Sequence, residues 1–465
     1  MQNSANIKPR TLLLAGVVSV LIGASGCNPT TIDPVTDPNN PSLESVITNA
    51  TPTQINALAN GVEASLRLGH TNNAPYNQIT GTLGREIIIL ASNEPRWYTE
   101  ILGSKTSLDN GAFYSTGSYN TFARTIRAAN VLRQSLAATS TVTPVQKQGL
   151  LGFCDTYEAI AKLHMLNLMG ENGIRIDVAD FLKPGKFTVG SAPALANIRQ
   201  LLDLGATELG QAGTDFSFPL SNGYAGFDTP ASFLRFNRAI AARVALYQGD
   251  NAGALTALSA SFYSPTASLT LGPKITFRPG TAGDQGNSYF QVPNSGPSTL
   301  VTVPDNFVSE AETGDQRLSK VSLRTTPRTA GGITGRYDPT VYATQNAPVA
   351  IIRNEELILI AAEAKAKTND ITGAVQDINT IRTRSGNLPP YAGATTQAAL
   401  LNEILRQRRY SLFYEGHFWV DLRRLGKLNP NPTPNITLPY STGTFRLFDR
   451  LAIPFAEVAW DQANP

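Results

Sequence analysis

Glu415 and Asp421 stand six residues apart in YEGHFWVDLRR, Tyr414 to Arg424, and are the carboxylates best placed by sequence to do chemistry. Two carboxyl groups about 5–10 Å apart can hydrolyse a glycosidic bond, one as acid and the other as base or nucleophile. Arg408, Arg409, Arg423 and Arg424 lie around them, however. The expected arrangement is therefore mutual neutralisation in a partly buried ion-pair network. The chain has three histidines, His70, His164 and His417, with no pair at metal-ligand spacing, and it lacks C-x-x-C, G-x-S-x-G and a phosphate-cradling glycine loop. Neither a metal nor a cofactor is expected, and no catalytic residue is assigned. His164 falls on an apolar helical stripe and is expected to be a hydrogen-bonded core residue. His417 is expected to pack, and His70, just after a helix stop, to be exposed.

Other residue types suit binding without reaction. A sugar offers an apolar ring face edged by hydroxyls, which calls for an aromatic platform flanked by planar polar side chains. Asn93-Glu94-Pro95-Arg96-Trp97-Tyr98 supplies that mixture after the apolar run Ile87 to Leu90, and Asn72, Asn73, Tyr76 and Asn77 precede it. Asn73, Tyr76, Asn77, Arg96, Trp97 and Tyr98 are the candidate ligand contacts here, Trp97 foremost. Any one of these aromatics could equally anchor its loop.

These loops need elements to hold them. Ile55, Leu58, Ala59, Val62 and Leu66 fall at helical spacing in Thr51 to Leu68, with Gly69 as the stop. Tyr119 to Leu136 and Gln146 to Met169 repeat the pattern, the second ending at Gly170. Two further amphipathic helices follow Ala347, with Asp370 as the N-cap between them, and a third begins after Thr395 or Thr396. ARVALYQGDNAGA (Ala242 to Ala254) and AEAKAKTNDITGA (Ala362 to Ala374) share a small residue, an Asp eight positions on and an Ala four beyond it. This is helix-turn-helix stacking of the tetratricopeptide kind. The fold class is mainly α, with a few short strands. Asn72 to Gly117, Asn172 to Ala231 and Ser261 to Ala347 have little period of their own and are expected to form long irregular loops.

The N-terminal residues are set apart from the fold. Lys8 and Arg10 precede an apolar stretch from Leu12 to Ile22 and then Ala24-Ser25-Gly26-Cys27, a secretory leader resembling a lipoprotein cleavage box. Residues 1–26 are expected to be removed and Cys27 to be lipidated; 27–52, rich in Pro, Asn, Asp and Thr, would be a flexible tether, and 53–465 a single domain. With Cys27 assigned, only Cys154 remains, so the mature chain has no intramolecular disulfide. The formal charge of +3 becomes +1 without Lys8 and Arg10, and no basic stripe with interleaved aromatics occurs. Nucleic acid is not an expected partner.

The run PVAIIRNEELILIAAEAKAKTNDITGAVQDINTIRTRSG, Pro348 to Gly386, followed by YEGHFWVDLRR, resembles the SusD/RagB family of outer-membrane nutrient-uptake lipoproteins. Asp315-Gln316-Arg317 resembles a family Asp-x-Arg turn, and Leu451 to Pro465 the closing segment that packs on the body. The chain departs from the family pattern at Gln407 and Ser411, where Glu is usual, which puts a salt bridge in question rather than the fold. The resemblance implies a SusD-like scaffold of tetratricopeptide-like helix pairs beneath irregular loops. It also implies glycan contacts in the N-terminal loop region and in the long insertion before the signature helices, here Asn287, Tyr289 and Phe290. The function it implies is non-catalytic: a lipid-anchored, surface-exposed outer-membrane protein that binds a glycan or other oligomeric nutrient and passes it to a SusC-like TonB-dependent transporter. A surface glycoside hydrolase and a protein-binding scaffold lipoprotein are the alternatives.

Overall fold

The computed structural model describes residues 47–103, 107–281 and 284–464. The expected leader, Cys27 and the tether as far as residue 46 lie outside the described residues. Ala50 is already fully buried, and its carbonyl accepts hydrogen bonds from the hydroxyls of Thr139 and Thr141 at 2.7 and 2.9 Å. The body thus takes in the last residues of the expected tether.

Helix starts follow local chemistry. α1 (Pro52–Leu68) opens with a reciprocal box between Thr51 and Gln54 and with proline in its first turn. After the short α2 (Tyr76–Leu83) comes α3 (Phe113–Ala138), six residues longer at its start than the periodicity of Tyr119 to Leu136 suggests. α4 (Pro144–Met169) repeats the box with Thr143 and Gln146. α5 (Ser191–Gln211) is a long helix inside a stretch expected to be irregular, and α6 (Pro230–Gln248) follows it. Each of α3 to α6 packs on its successor in an antiparallel-type stack.

The two echoed segments form the same turn. α6 passes into α7 (Asn251–Ser259) through Asp250, and α9 (Asn354–Lys367) passes into α10 (Ile371–Arg384) through Asp370. Each Asp side chain accepts from the amide three residues on, Gly253 at 2.8 Å and Gly373 at 2.9 Å. A Cβ on either glycine would lie about 2 Å from the capping carboxylate, so the cap and the glycine come as a pair. Ala242, Ala254, Ala362 and Ala374 are all fully buried where the helices meet. A short α8 (Asp305–Ser309) precedes this unit, and α11 (Gln397–Ser411), α12 (Phe418–Arg424) and α13 (Phe455–Ala463) complete the helices discussed below. The N-cap of α11 is Thr396.

Strands are short and antiparallel, and they clip loops together. β1 (Ile88–Ile89) pairs with β5 (Val301–Thr302), β2 (Ile174–Arg175) with β3 (Phe187–Thr188), and β4 (Lys274–Ile275) with β8 (Val349–Ala350). The longest pair, β6 (Val321–Ala330) and β7 (Ile333–Pro339), turns at Gly331 and Gly332, both at positive φ. It lies in the third stretch expected to be irregular. Among the described residues no helix is long and apolar enough to cross a membrane.

Candidate functional site: an aromatic groove between two clipped loops

β1 and β5 bring together loops more than two hundred residues apart. Beyond the strands the clip continues: Leu90 N–H donates to Leu300 O at 2.9 Å, Ser92 N–H to Pro297 O at 2.8 Å and Asn93 N–H to Ser298 O at 3.3 Å. A groove of about 660 Å³ opens beside this seam. Trp97, Phe113, Tyr289 and Phe290 line its apolar side. Asn73, Asn93 and Gln345 line its polar side; all three are exposed, and none of their side chains bonds another described residue. Free amides beside aromatic rings can serve hydroxyls and an apolar ring face together.

Four expected contacts therefore meet in one groove: Asn73, Trp97, Tyr289 and Phe290. The rings are more deeply set than a free platform would be. Trp97 is 5% exposed and packs edge-on against Phe113 at 5.0 Å. Tyr289 is 2% exposed, with Tyr342 and Tyr414 each 5.5 Å away between ring centroids. Its hydroxyl meets His70 Nδ1 at 2.9 Å and accepts from Asn77 N–H at 3.3 Å. His70 is thus buried, contrary to the exposed position expected.

The remaining candidates do other work. Tyr76, Asn77 and Asn287 are buried beneath the groove with their polar groups committed internally. Tyr76 Oη accepts from Asn167 Nδ2 at 2.9 Å, and Asn77 Nδ2 donates to Tyr414 O at 3.0 Å. Asn287 Nδ2 donates to Ala347 O at 2.8 Å, while its Oδ1 accepts from Tyr289 N–H at 2.7 Å. The turn that begins at Trp97 sends Tyr98 to the opposite side, into an apolar cluster with Ile88, Leu90 and Ile333. Arg96 sits at the rim, bonded to Glu94 at 2.6 and 2.7 Å, with its guanidinium 4.9 Å from the Phe113 centroid. That bond holds the Glu94 carboxyl below its ordinary range. Sequence reading missed Phe113 and Gln345. The first lies ahead of the visible helical period, and the second has no local signal.

The signature segment supports the groove from below. Gly416, at φ +84°, lets the turn after Tyr414 approach α2 closely; a Cβ there would come within 2.8 Å of the Tyr76 ring. The expected charge network is present, with some partners exchanged. Asp421 accepts from Arg408 Nε at 2.6 Å and from Arg424 at 2.8 Å, and Glu415 accepts from Arg353 at 2.8 and 2.9 Å. Arg409 pairs instead with Glu310 at 2.6 Å, and Arg423 donates to the carbonyls of Asp449 and Asn167. Neither Glu415 nor Asp421 lines the groove. At the departures from the family pattern, Gln407 Oε1 and Ser411 Oγ accept from Arg317 at 2.7 and 3.0 Å. Asp315, 2.7 Å away, already neutralises that arginine, so the buried turn is held without a further carboxylate.

Residues 305–448 match the model of the SusD family. No curated protein matches the chain in sequence. Among solved structures, a SusD superfamily protein of Bacteroides thetaiotaomicron superposes with a TM-score of 0.65 at 15% identity, over 88% of this chain and 98% of its own. The chain carries the SusD fold. A sugar-binding protein of Bacteroides vulgatus, so described provisionally, has a TM-score of 0.62 at 18% identity over 88% of this chain and 96% of its own. A laminarin-binding SusD-like protein gives 0.63 at 17% identity, with 88% and 97% covered. In this SusD-like chain the family match takes in the Asp315–Arg317 turn, the second echoed helix pair and the signature, whereas Asn73, Asn93 and Trp97 fall outside it.

Proposed function

We propose that this chain is a non-catalytic glycan-binding lipoprotein of the outer membrane, anchored through Cys27 and handing its ligand to a SusC-like TonB-dependent transporter. The observation that carries the binding step is the convergence of the 72–78, 93–97 and 288–292 segments on one groove that joins aromatic rings to uncommitted amides. The sugar-binding and laminarin-binding descriptions of two similar structures support the ligand class. Lipid anchoring and the transporter rest on the leader pattern and the family resemblance. A shallow groove with few hydrogen bonds favours modest affinity and fast release, as delivery requires.

Affinity electrophoresis in gels containing laminarin or starch tests the groove. The Asn73→Ala/Asn93→Ala double variant is expected to lose about 10-fold or more in retention, since each amide can contribute on the order of 1 kcal/mol, with the melting temperature unchanged because both residues are exposed. Trp97→Ala is expected to lower retention and melting temperature together, because its ring is buried against Phe113. Full retention by the double variant in the gel that retains the parent would refute the groove as the site.

A further inference from the structure

A second concavity, of about 480 Å³, shares no lining residue with the groove. α3 forms one wall with Asn120, Arg124 and Arg127, α13 forms another with Trp460, and the loop carrying Phe181 forms the third. Arg124 and Arg127 are one helical turn apart and both exposed, and neither makes an ion pair with another described residue. The Arg127 guanidinium lies 4.5 Å from the Phe181 ring centroid, which orients its planar fork.

The third arginine here has a different task. Arg175 is 5% exposed and bonds both Glu457 and Asp461 of α13, as well as Gly185 O at 2.6 Å. It pins α13, and so the Trp460 wall, to the loop. Three guanidiniums and a single carboxylate, Glu457, therefore line the cavity, and that carboxylate is already taken by Arg175. The Tyr119 ring, 1% exposed, forms part of the floor, and its hydroxyl has the Glu457 carboxylate as neighbour. The occupant these walls favour brings negative charge for Arg124 and Arg127, a flat apolar face for Trp460 and Phe181, and hydrogen-bonding groups for Asn120.

We propose that this cavity is a second saccharide site, selective for a carboxylated sugar ring of the uronic acid class. The carboxylate sits between Arg124 and Arg127, whose forked donors match its geometry, and the ring lies on Trp460. A neutral sugar leaves both charges unanswered, and an acidic peptide leaves the aromatic wall unstacked. The site does not depend on the groove or on its ligand.

Calorimetry on the purified chain with trigalacturonate, its methyl ester and triglutamate tests the proposal. Trigalacturonate is expected to bind, and the ester and triglutamate to bind at least about 10-fold more weakly. The Arg124→Ala/Arg127→Ala double variant is expected to lose about 10-fold or more in trigalacturonate affinity at an unchanged melting temperature, because both residues are exposed. Asn73→Ala/Asn93→Ala is expected to leave that affinity intact. The proposal is overturned by absence of trigalacturonate binding at millimolar concentration, by full affinity in the arginine double variant, by equal binding of triglutamate, or by loss of binding in the groove variant alone. The last outcome would move the acid to the groove, whereas the others leave the groove untouched.

Discussion

Arg85 and Glu86 are adjacent, opposite in charge and almost fully buried, yet they do not pair. Arg85 has a left-handed backbone, φ +58°, and donates to the carbonyls of Thr82, Leu102, Tyr440 and Arg446. Burial lowers its pKa to about 9. Glu86 is left with the Tyr414 amide nearby and no completed hydrogen bond on either oxygen, and burial lifts its carboxyl to about 8. In the unfolded chain that carboxyl ionises near 4.5. The folded state therefore holds a proton that the unfolded state releases. Its stability is undiminished below about pH 4.5 and falls as pH rises towards 8. Glu86→Gln should be more stable than the parent by about 3 kcal/mol at pH 7, at 1.36 kcal/mol per unit, and equal to it near pH 4. Urea midpoints at the two pH values decide this, and parallel profiles would exclude the assignment. Nothing in GREIII shows that the two charges part, because a single backbone angle decides where the guanidinium points. Trp97 teaches the same lesson: its place beside the groove was legible from the mixture of residue types around it, but its burial against Phe113 was not.

At the scale of elements, caps and apolar stripes were legible and close crossings were not. Thr51, Thr396, Asp250 and Asp370 cap helices because short side-chain acceptors compete well for the free amides of a first turn. α5 escaped notice although Ile198, Leu202 and Leu209 lie on its buried face, because Pro193, Gly205 and Gly210 interrupt the reading. Gly205 is there for packing. A Cβ on Gly152 of α4 would lie 2.7 Å from Gly205 O and 2.6 Å from Leu209 Cγ, so the two helices cross with backbone against backbone. Gly152→Ala should therefore destabilise the protein by about 1–3 kcal/mol through overpacking, against the roughly 1 kcal/mol that alanine gains in a helix. Gly61 of α1 has nothing within 4 Å of its virtual Cβ, and Gly61→Ala should stabilise by about 0.5–1 kcal/mol. Opposite shifts of the urea midpoint establish the crossing, and equal shifts would remove it.

On the scale of the whole molecule, all three histidines converge on one small buried cavity with Tyr76, Asn167 and Arg243. Nothing in their spacing announces this, since the turn after α1, α4 itself and the signature turn supply one each, and only the packed helices bring them together. The His70 and His164 rings are 5.6 Å apart, and His164 Nδ1 has no hydrogen-bond partner, although a bonded core histidine was expected. Burial brings His70 down to about 4. His164 is held well below the ordinary value by burial first, then by His70, Arg243 and His417. His417 is lowered by burial despite Glu356, 3.6 Å from its Nε2. Nearby carboxylates are shifted in the opposite sense to what burial alone would do. Arg353, Arg243 and Arg424 overcome the burial of Glu355, Glu356 and Glu363 and hold each at about 2. The signs give two separate windows. A depressed histidine binds its proton in the unfolded state first, so stability falls as pH drops from about 6.5 towards 4. A depressed carboxylate contributes above about 4.5 and loses that contribution as pH falls through 2. The histidine contribution thus falls away in a window where no carboxylate of this trio titrates, and where the buried Glu86 carboxyl works in the opposite sense. His164→Phe leaves no nitrogen to protonate, and its ring meets Tyr76 and Phe122, whose centroids lie 4.5 and 4.8 Å from the imidazole it replaces. Between pH 6.5 and 5 it should lose less stability than the parent, by at most about 2 kcal/mol at 1.36 kcal/mol per unit for one proton, while the decline below pH 4.5 stays the same. Urea denaturation across the range measures both limbs, and an unchanged upper limb would show that His164 takes up no proton on unfolding.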